Sequence, residues 1–252
     1  MRYHIDTIAL WDVLKAGDEC PLCLLRRKTE HQMADRYLGA SVMEPDTRIR
    51  VNEKGFCPSH QRMLFDRQNR LGHALMMLSH LQELRKRLPD ALSQTAPTPS
   101  PGLLARLSGR NGREAPPENG VLALAQGCVM CDHLHMTMDQ YGHALLHLWK
   151  TDQRFRDLFA HSKGLCLVDT GTLLALSGEV LSGQQKEEFC RQAAKLLQEN
   201  LERLEEELNW FTRKFDYRNA EAPWGNSRDA LERTANKLRG WCIGKDPGLN
   251  ET

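Results

Sequence analysis

Apolar residues recur three and four apart along most of this chain, and nowhere do they alternate with polar ones long enough to make a strand. Ile5, Ile8, Trp11 and Leu14 predict a short amphipathic helix ending near Gly17. Leu22 to Leu38 keeps the helical pattern with more polar character, whereas residues 39–55 read as irregular. Leu64, Leu71, Leu75, Leu78, Leu81 and Leu88 mark a long helix with one apolar stripe, expected to stop at Pro89 because proline lacks the donor that a helix interior needs. Leu134, Met138, Tyr141, Leu145, Leu148 and Trp149 mark another. Over 184–215, Leu197, Leu201, Leu204, Leu208, Phe211 and Phe215 line one side of a third, with glutamates on its solvated side. The fold class that follows is all-α, with long amphipathic helices packed together.

Residues 89–120 hold six of the eleven prolines and four glycines, a composition with little to bury, and read as a flexible linker in which Leu103 to Leu107 could form one helical turn. The landmarks on its two sides match. CPLC at 20–23 and CVMC at 128–131 open the halves, and GFCPSH at 55–60 and GLCLVD at 164–169 recur downstream. Cys20 to Cys57 spans 37 positions and Cys128 to Cys166 spans 38, so four landmarks agree in order and spacing. The expected organisation is two tandem helical units, 1–88 and 121–252, joined by 89–120. Each is built on a Cys-x2-Cys … Gly-x-Cys-x2-(His/Asp) motif.

Charge narrows the function classes. With 34 Lys+Arg against 33 Asp+Glu, the net charge of +1 supplies no electrostatic reason for a nucleic-acid or anionic-membrane partner. The N-terminal residues carry charges throughout and no apolar run reaches membrane-spanning length, so a cytoplasmic protein is expected. In that reducing compartment, closely spaced cysteines are metal ligands or redox centres more often than disulfides.

Cys20, Cys23, Cys57 and His60 are three soft thiolates and an imidazole, a donor set that suits tetrahedral zinc in a closed structural site. These four are expected to converge on one point, clamping two helix ends across the intervening loop. Cys128, Cys131, Cys166 and Asp169 would form the second site, less well satisfied because Cys3Asp is an uncommon structural set; His133, His135 or His161 could substitute for Asp169. Other chemistries share these residues. CPLC resembles the active site of glutaredoxin-like proteins, although their βαβ context is missing, and an iron–sulfur cluster could use the same ligands. Cys190 and Cys242 have no spaced partner and are expected to be small core residues. Asp139, His143 and His147 share a helix face but read first as surface polar groups. No phosphate-binding loop, dinucleotide fingerprint or Ser/His/Asp arrangement is present, so no catalytic residue can be named.

YLGASVMEPDTRIRVNEKGFCPSH, LGHALMMLSHLQE, LWKTDQRFRDLF and ELNWFTRKFDYRNAEAPWGNSRDALERTANKLRG resemble domain-of-unknown-function family 6062, from about Tyr3 to Gly240 with only the linker outside. The resemblance implies a bacterial cytosolic protein with paired Cys-x2-Cys and Gly-Phe-Cys-x2-His units, carried here by Cys20, Cys23, Cys57, His60, Cys128, Cys131 and Cys166. The chain departs at Asp169, where the family pattern has histidine. Phe215, Asp216, Tyr217, Arg218 and Trp224 also match; Tyr217 and Trp224 are expected to bury aromatic area and Asp216 to pair with Arg218. The reading that follows is a zinc-binding, non-catalytic helical protein presenting a surface to an unknown protein partner. The alternative is a thiol redox or metal-handling enzyme using Cys20 and Cys23.

Overall fold

A computed structural model describes residues 3–95 and 120–248. Among them every regular element is helical, and no strand occurs. The α-helices are α1 (Tyr3–Ala16), α2 (Pro21–Leu38), α3 (Pro45–Lys54), α4 (Pro58–Asp66), α5 (Arg70–Thr95), α6 (Gly120–Leu124), α7 (Val129–Thr151), α8 (Gln153–Ala160), α9 (Leu167–Val180), α10 (Gly183–Arg213) and α11 (Ala230–Arg239). Three short 3-10 turns accompany them at Ala40–Met43, Tyr217–Asn219 and Gly225–Ser227.

The chain forms two compact units, one continuous, Gln32–His133, and one discontinuous, Met1–His31 with Leu134–Thr252. In the discontinuous unit Leu10, Val13 and Leu14 of α1 pack with Trp149, Phe155, Phe159 and Phe189, all at most 3% exposed. Trp149 meets Phe189 edge-on at 5.2 Å, and Phe159 stacks on Phe189 at 6.1 Å. Burying each of these aromatic side chains stabilises the unit by about 1.5–3 kcal/mol. Asp152 caps α8 by accepting from the backbone N–H groups of Arg154 and Phe155 at 2.8 and 3.2 Å. The core of the continuous unit gathers Met33, Tyr37, Val51, Phe56, Leu64, Met76 and Met130.

The structure departs from the sequence reading at five places. Residues 39–55 are ordered: Glu44 is extended before Pro45, which sits at the first position of α3, and the Ser41 and Thr47 hydroxyls both donate to the Glu44 carboxylate at 3.0 Å. Helix α5 runs through Pro89 to Thr95, where the lost backbone bond is offset by packing of Ala91 on Gly120, so the expected linker boundary at 89 becomes helix; 96–119, with Leu103 to Leu107, lies outside the described residues. Most of the α5 stripe is uncovered, Leu75 alone packing against the core of the continuous unit. Leu71, Leu78, Leu81 and Leu88 are exposed while Met76 and His80 face inward. On α10 the buried row is Phe189, Ala193, Leu196, Asn200 and Leu204; of the predicted stripe only Leu204 is fully buried, Leu197, Leu201, Leu208 and Phe211 are half-buried, and Phe215, just beyond the helix, is exposed. Finally, Tyr217 is 86% exposed. Trp224 does pack, against Phe211, and Asp216 does pair with Arg218 at 2.5 Å. Lys214 organises this segment instead, its Nζ donating to the carbonyls of Asn219, Ala220 and Ala222 at 2.7, 2.8 and 2.6 Å.

The C-terminal stretch is tied to α2 by Asp246, which accepts from Arg27, from the Gly248 N–H at 2.9 Å, and shares a bond with His31 Nε2 at 2.8 Å. Burial works to raise this carboxyl; the Arg27, Gly248 and His31 bonds outweigh it and hold it down at about 2. A carboxyl depressed by folding stabilises fully above its unfolded value and loses that contribution as pH falls through the folded one. Between about pH 4 and 2 the stretch should therefore detach, seen as loss of amide protection around Trp241, and Asp246→Asn should show no such acid step.

Candidate metal centres

Each cysteine motif sits where a helix begins, and glycine makes this possible. At Gly55 the backbone leaves α3 with φ +61°, so that Cys57 can become the N-cap of α4 with Pro58 behind it. Gly164, at φ +69°, does the same before Cys166, the N-cap of α9, whose sulfur accepts from the Asp169 N–H at 3.3 Å. Cys20 and Cys23 flank the start of α2, and Cys128 and Cys131 the start of α7. Residues three apart across a helix start point side chains to one side, which is why Cys-x2-Cys and Cys-x2-His suit a shared ion.

All eight predicted ligands fall into two groups of four, but in crossed combination. Cys57 and His60 join Cys128 and Cys131; Cys20 and Cys23 join Cys166 and Asp169; within each group the donor atoms lie within 4.8 Å of one another. The expected convergence of Cys20 and Cys23 with Cys57 and His60, and of Cys128 and Cys131 with Cys166 and Asp169, is thereby corrected. The physical tie is visible beside Cys57: the Val129 N–H donates to the Gly55 carbonyl at 3.1 Å, fastening the start of α7 to the turn that delivers Cys57.

In the Cys3His group, His60 Nδ1 stands 3.3, 3.2 and 3.4 Å from the sulfurs of Cys57, Cys128 and Cys131, and the Cys57 and Cys131 sulfurs are 3.7 Å apart. In the Cys3Asp group, Asp169 Oδ2 stands 3.2, 3.5 and 3.2 Å from Cys20, Cys23 and Cys166, and the Cys23 and Cys166 sulfurs are 3.7 Å apart. Zinc–sulfur bonds of about 2.3 Å in a tetrahedron put sulfurs roughly 3.8 Å apart, so both groups have the dimensions that such an ion needs. The Cys3Asp group is buried throughout, whereas Cys57 and Cys131 are half-buried. Asp169 turns its other oxygen, Oδ1, to Arg26 Nη2 at 2.9 Å, an orienting contact of the kind that ligating carboxylates make. Arg26 follows Cys23 by three positions on α2, a spacing from which sequence reasoning could have found it.

Protons are unevenly held. Burial drives the Cys20 thiol well up, and the bond to Cys166 raises Cys23, while hydrogen bonds from those two thiols lower Cys166. Asp169 is raised by burial, then by Cys166, with Arg26 acting against them. At Cys128 burial acts upward, but bonds to His60 and to backbone N–H groups prevail and bring the thiol to about 6; Cys131 is raised, first by burial and then by Cys128. Each group thus ionises one sulfur readily, and loading a divalent ion must release the remaining thiol protons.

Other candidates do not assemble. His133, His135 and His161 join neither group, and His161 Nδ1 bonds the Asp157 carbonyl at 2.7 Å. His143 binds Glu179 at 3.1 Å and the Asp139 carbonyl at 2.9 Å, and Asp139, His143 and His147 form no ligand group among the described residues. Cys190 is half-buried, and Cys242 is exposed rather than part of a core, because the Asn236 side chain holds its N–H in a surface turn at 2.8 Å.

Residues 1–245 match the sequence profile described as "Family of unknown function (DUF6062)". The chain is 22% identical over 224 residues, 89% of its own length and 91% of the relative's, to a protein described as "Uncharacterized 23.9 kDa protein in xynA 3'region" from Caldicellulosiruptor sp. (strain Rt8B.4). No solved structure matches.

Proposed function

We propose that this chain, which belongs to the DUF6062 family of unknown function, is a zinc-binding, non-catalytic helical protein of the cytoplasm that docks another protein. One observation carries the zinc reading: each group supplies four protein donors at tetrahedral spacing, and all four residues of the Cys3Asp group are buried. Structural zinc sites are of this closed, four-ligand kind, while catalytic ones keep a position for water or substrate. Thiolate ligands stay reduced in the cytoplasm, which accords with that location. The docking part is supported by α5, whose exposed Leu71, Leu78, Leu81, Leu88 and Leu92 repeat at heptad spacing, the pattern by which one helix receives another.

The thiol redox or metal-handling reading has one feature in its favour. A cavity of about 330 Å³ borders Cys20 and Cys23, beside Lys163, Arg233 and Trp241. Yet those sulfurs belong to residues only 6% and 7% exposed, unlike the accessible thiol that redox exchange requires.

Elemental analysis of anaerobically purified protein tests the proposal. Two equivalents of zinc are expected, with six of the eight cysteines protected from thiol reagents until a strong chelator is added. Iron with inorganic sulfide, or six reactive thiols in untreated protein, would overturn it. Chelation should also lower the melting temperature without unfolding the chain, since each unit buries an apolar core that extends well beyond its ligand cysteines. Identical melts of the loaded and stripped protein would remove the structural role.

A further inference from the structure

Lys237 on α11 has none of its surface exposed. An ammonium in such a place is destabilising unless the surroundings compensate its charge. Its Nζ donates to the carbonyls of Glu19 at 2.8 Å and Lys163 at 2.5 Å. The nearest carboxylate, that of Glu19 at 3.7 Å, is already engaged by Arg203 at 2.7 Å, Arg233 at 3.4 Å and Lys163 at 3.7 Å, so it is no private partner. Burial lowers the Lys237 ammonium from its ordinary value and Arg203 acts the same way, while Glu19, Cys20 and Cys166 act against them.

The two carbonyls explain the location. Glu19 immediately precedes Cys20, and Lys163 stands three residues before Cys166. Lys237 therefore ties together the two segments that bring Cys20 and Cys166 to one point. Charge counting supplies the second half. Three thiolates and an imidazole around a divalent ion leave a net charge of −1, and in the Cys57 group two half-buried ligands allow water to solvate it. Three thiolates and a carboxylate leave −2, and the Cys20 group is buried throughout. With all four ligands buried, water screens that dianion far less than it does in the Cys57 group, and protein cations must supply the difference. Arg26, bonded to Asp169 Oδ1, is one cation beside it; Lys237, fully buried and bonded to the carbonyls of Glu19 and Lys163, is a second.

We propose that Lys237 and Arg26 are the charge-compensating positioning residues of a dianionic Cys3Asp zinc centre, with Lys237 also fixing the approach of Cys20 and Cys166. The proposal rests on the zinc reading above and explains how an acidic fourth ligand is tolerated in a closed site. Neither residue is a ligand. Their contribution is to offset the charge of the loaded centre and, for Lys237, to hold the backbone that carries Cys20 and Cys166.

The test is competition of full-length, Zn²⁺-loaded protein against a chromophoric chelator, resolving the two equivalents. Lys237→Met is expected to weaken one equivalent by about 10–100-fold and leave the other unchanged. Arg26→Met should weaken the same equivalent, and its side chain, 34% exposed, can be replaced without opening the core. A charge role is separated from a packing role by repeating Lys237→Met together with Asp169→His, which removes one negative charge from the centre. The loss should then shrink several-fold, whereas a packing role predicts the same loss in both backgrounds. Unchanged affinities in Lys237→Met and Arg26→Met, or a loss that Asp169→His does not reduce, would overturn the proposal. If Lys237→Met fails to fold, Arg26→Met decides. Failure of the zinc reading shows itself separately, as unaltered protein that holds no metal before any substitution is made.

Discussion

Cys20→Ser combined with Cys57→Ser is expected to leave no metal held at full affinity, whereas Cys20→Ser combined with Cys166→Ser should leave one full equivalent. The reason is the crossed pairing. Cys20 and Cys166 serve one group, so a second substitution there destroys a centre already lost, while Cys57 serves the other. Grouping by halves, with Cys20, Cys23, Cys57 and His60 together, predicts the reverse outcome for each pair. Removing one of four ligands should weaken binding by more than the roughly 10–100-fold that changes around a metal centre produce, so retained and lost equivalents separate cleanly in a chelator titration. One equivalent remaining in the Cys20→Ser, Cys57→Ser protein would sink the crossed arrangement. The effect on stability should follow the same division, with Cys57→Ser loosening the continuous unit and Cys166→Ser the discontinuous one.

The reason the pairing was not legible is instructive. Residue types and their local spacing are properties of a few adjacent residues at a helix start, and the eight residues that gather into the two groups could be read from the chain. Which Cys-x2-Cys meets which Cys-x2-(His/Asp) is decided over separations of 68 to 149 residues by packing that no local pattern carries, such as the Val129 bond to Gly55. Helix existence behaved like ligand type. The leucine rows predicted α5 and α10, yet the buried face of α10 is Phe189, Ala193, Leu196, Asn200 and Leu204, which meets the predicted row at Leu204 and lies one position from it at Leu196 and Asn200. Two rows a single residue apart differ by about 100° on a helix, and mixed rows of alanine, asparagine and phenylalanine outcompete leucines when the partner surface fits them. Asn200 is tolerated there because its amide donates to the Leu196 carbonyl at 2.9 Å and its oxygen accepts from Arg203 at 3.1 Å. Residues 39–55 hid their helix for a different reason. The segment has few apolar positions, and its start depends on Glu44 and Pro45 rather than on periodicity. Arg26 was within reach of sequence spacing; Lys237, more than 200 residues from Cys20, was not.

Among Gly17, Gly164 and Gly55, Gly55→Ala is expected to be the most damaging substitution and to cost the continuous unit its metal as well as its stability. Three glycines at positive φ form a graded series. At Gly17, φ is +73° and a Cβ would meet nothing within 4 Å, so only backbone strain opposes alanine, about 1–3 kcal/mol, offset in part by a stiffer unfolded chain. At Gly164, φ is +69° and the added carbon would lie 3.3 Å from Leu196 Cβ, tight enough to require a small shift. At Gly55, φ is +61° with ψ −150°, a combination that is essentially glycine's alone, and the added carbon would fall 2.5 Å from His80 Nε2. The imidazole cannot simply swing aside, because His80 is buried and its Nδ1 bonds the Asn52 carbonyl at 2.9 Å. Strain and overpacking together should destabilise the unit by roughly 2–5 kcal/mol. Relief by moving the turn would displace the Gly55 carbonyl from the Val129 N–H, and with it Cys128 from Cys57. Melting temperatures should therefore fall in the order Gly17→Ala, Gly164→Ala, Gly55→Ala, and only the last should release the Cys3His equivalent to a weak chelator. Equal melts for Gly17→Ala and Gly55→Ala would show that His80 yields freely and that the turn does not hold the centre together.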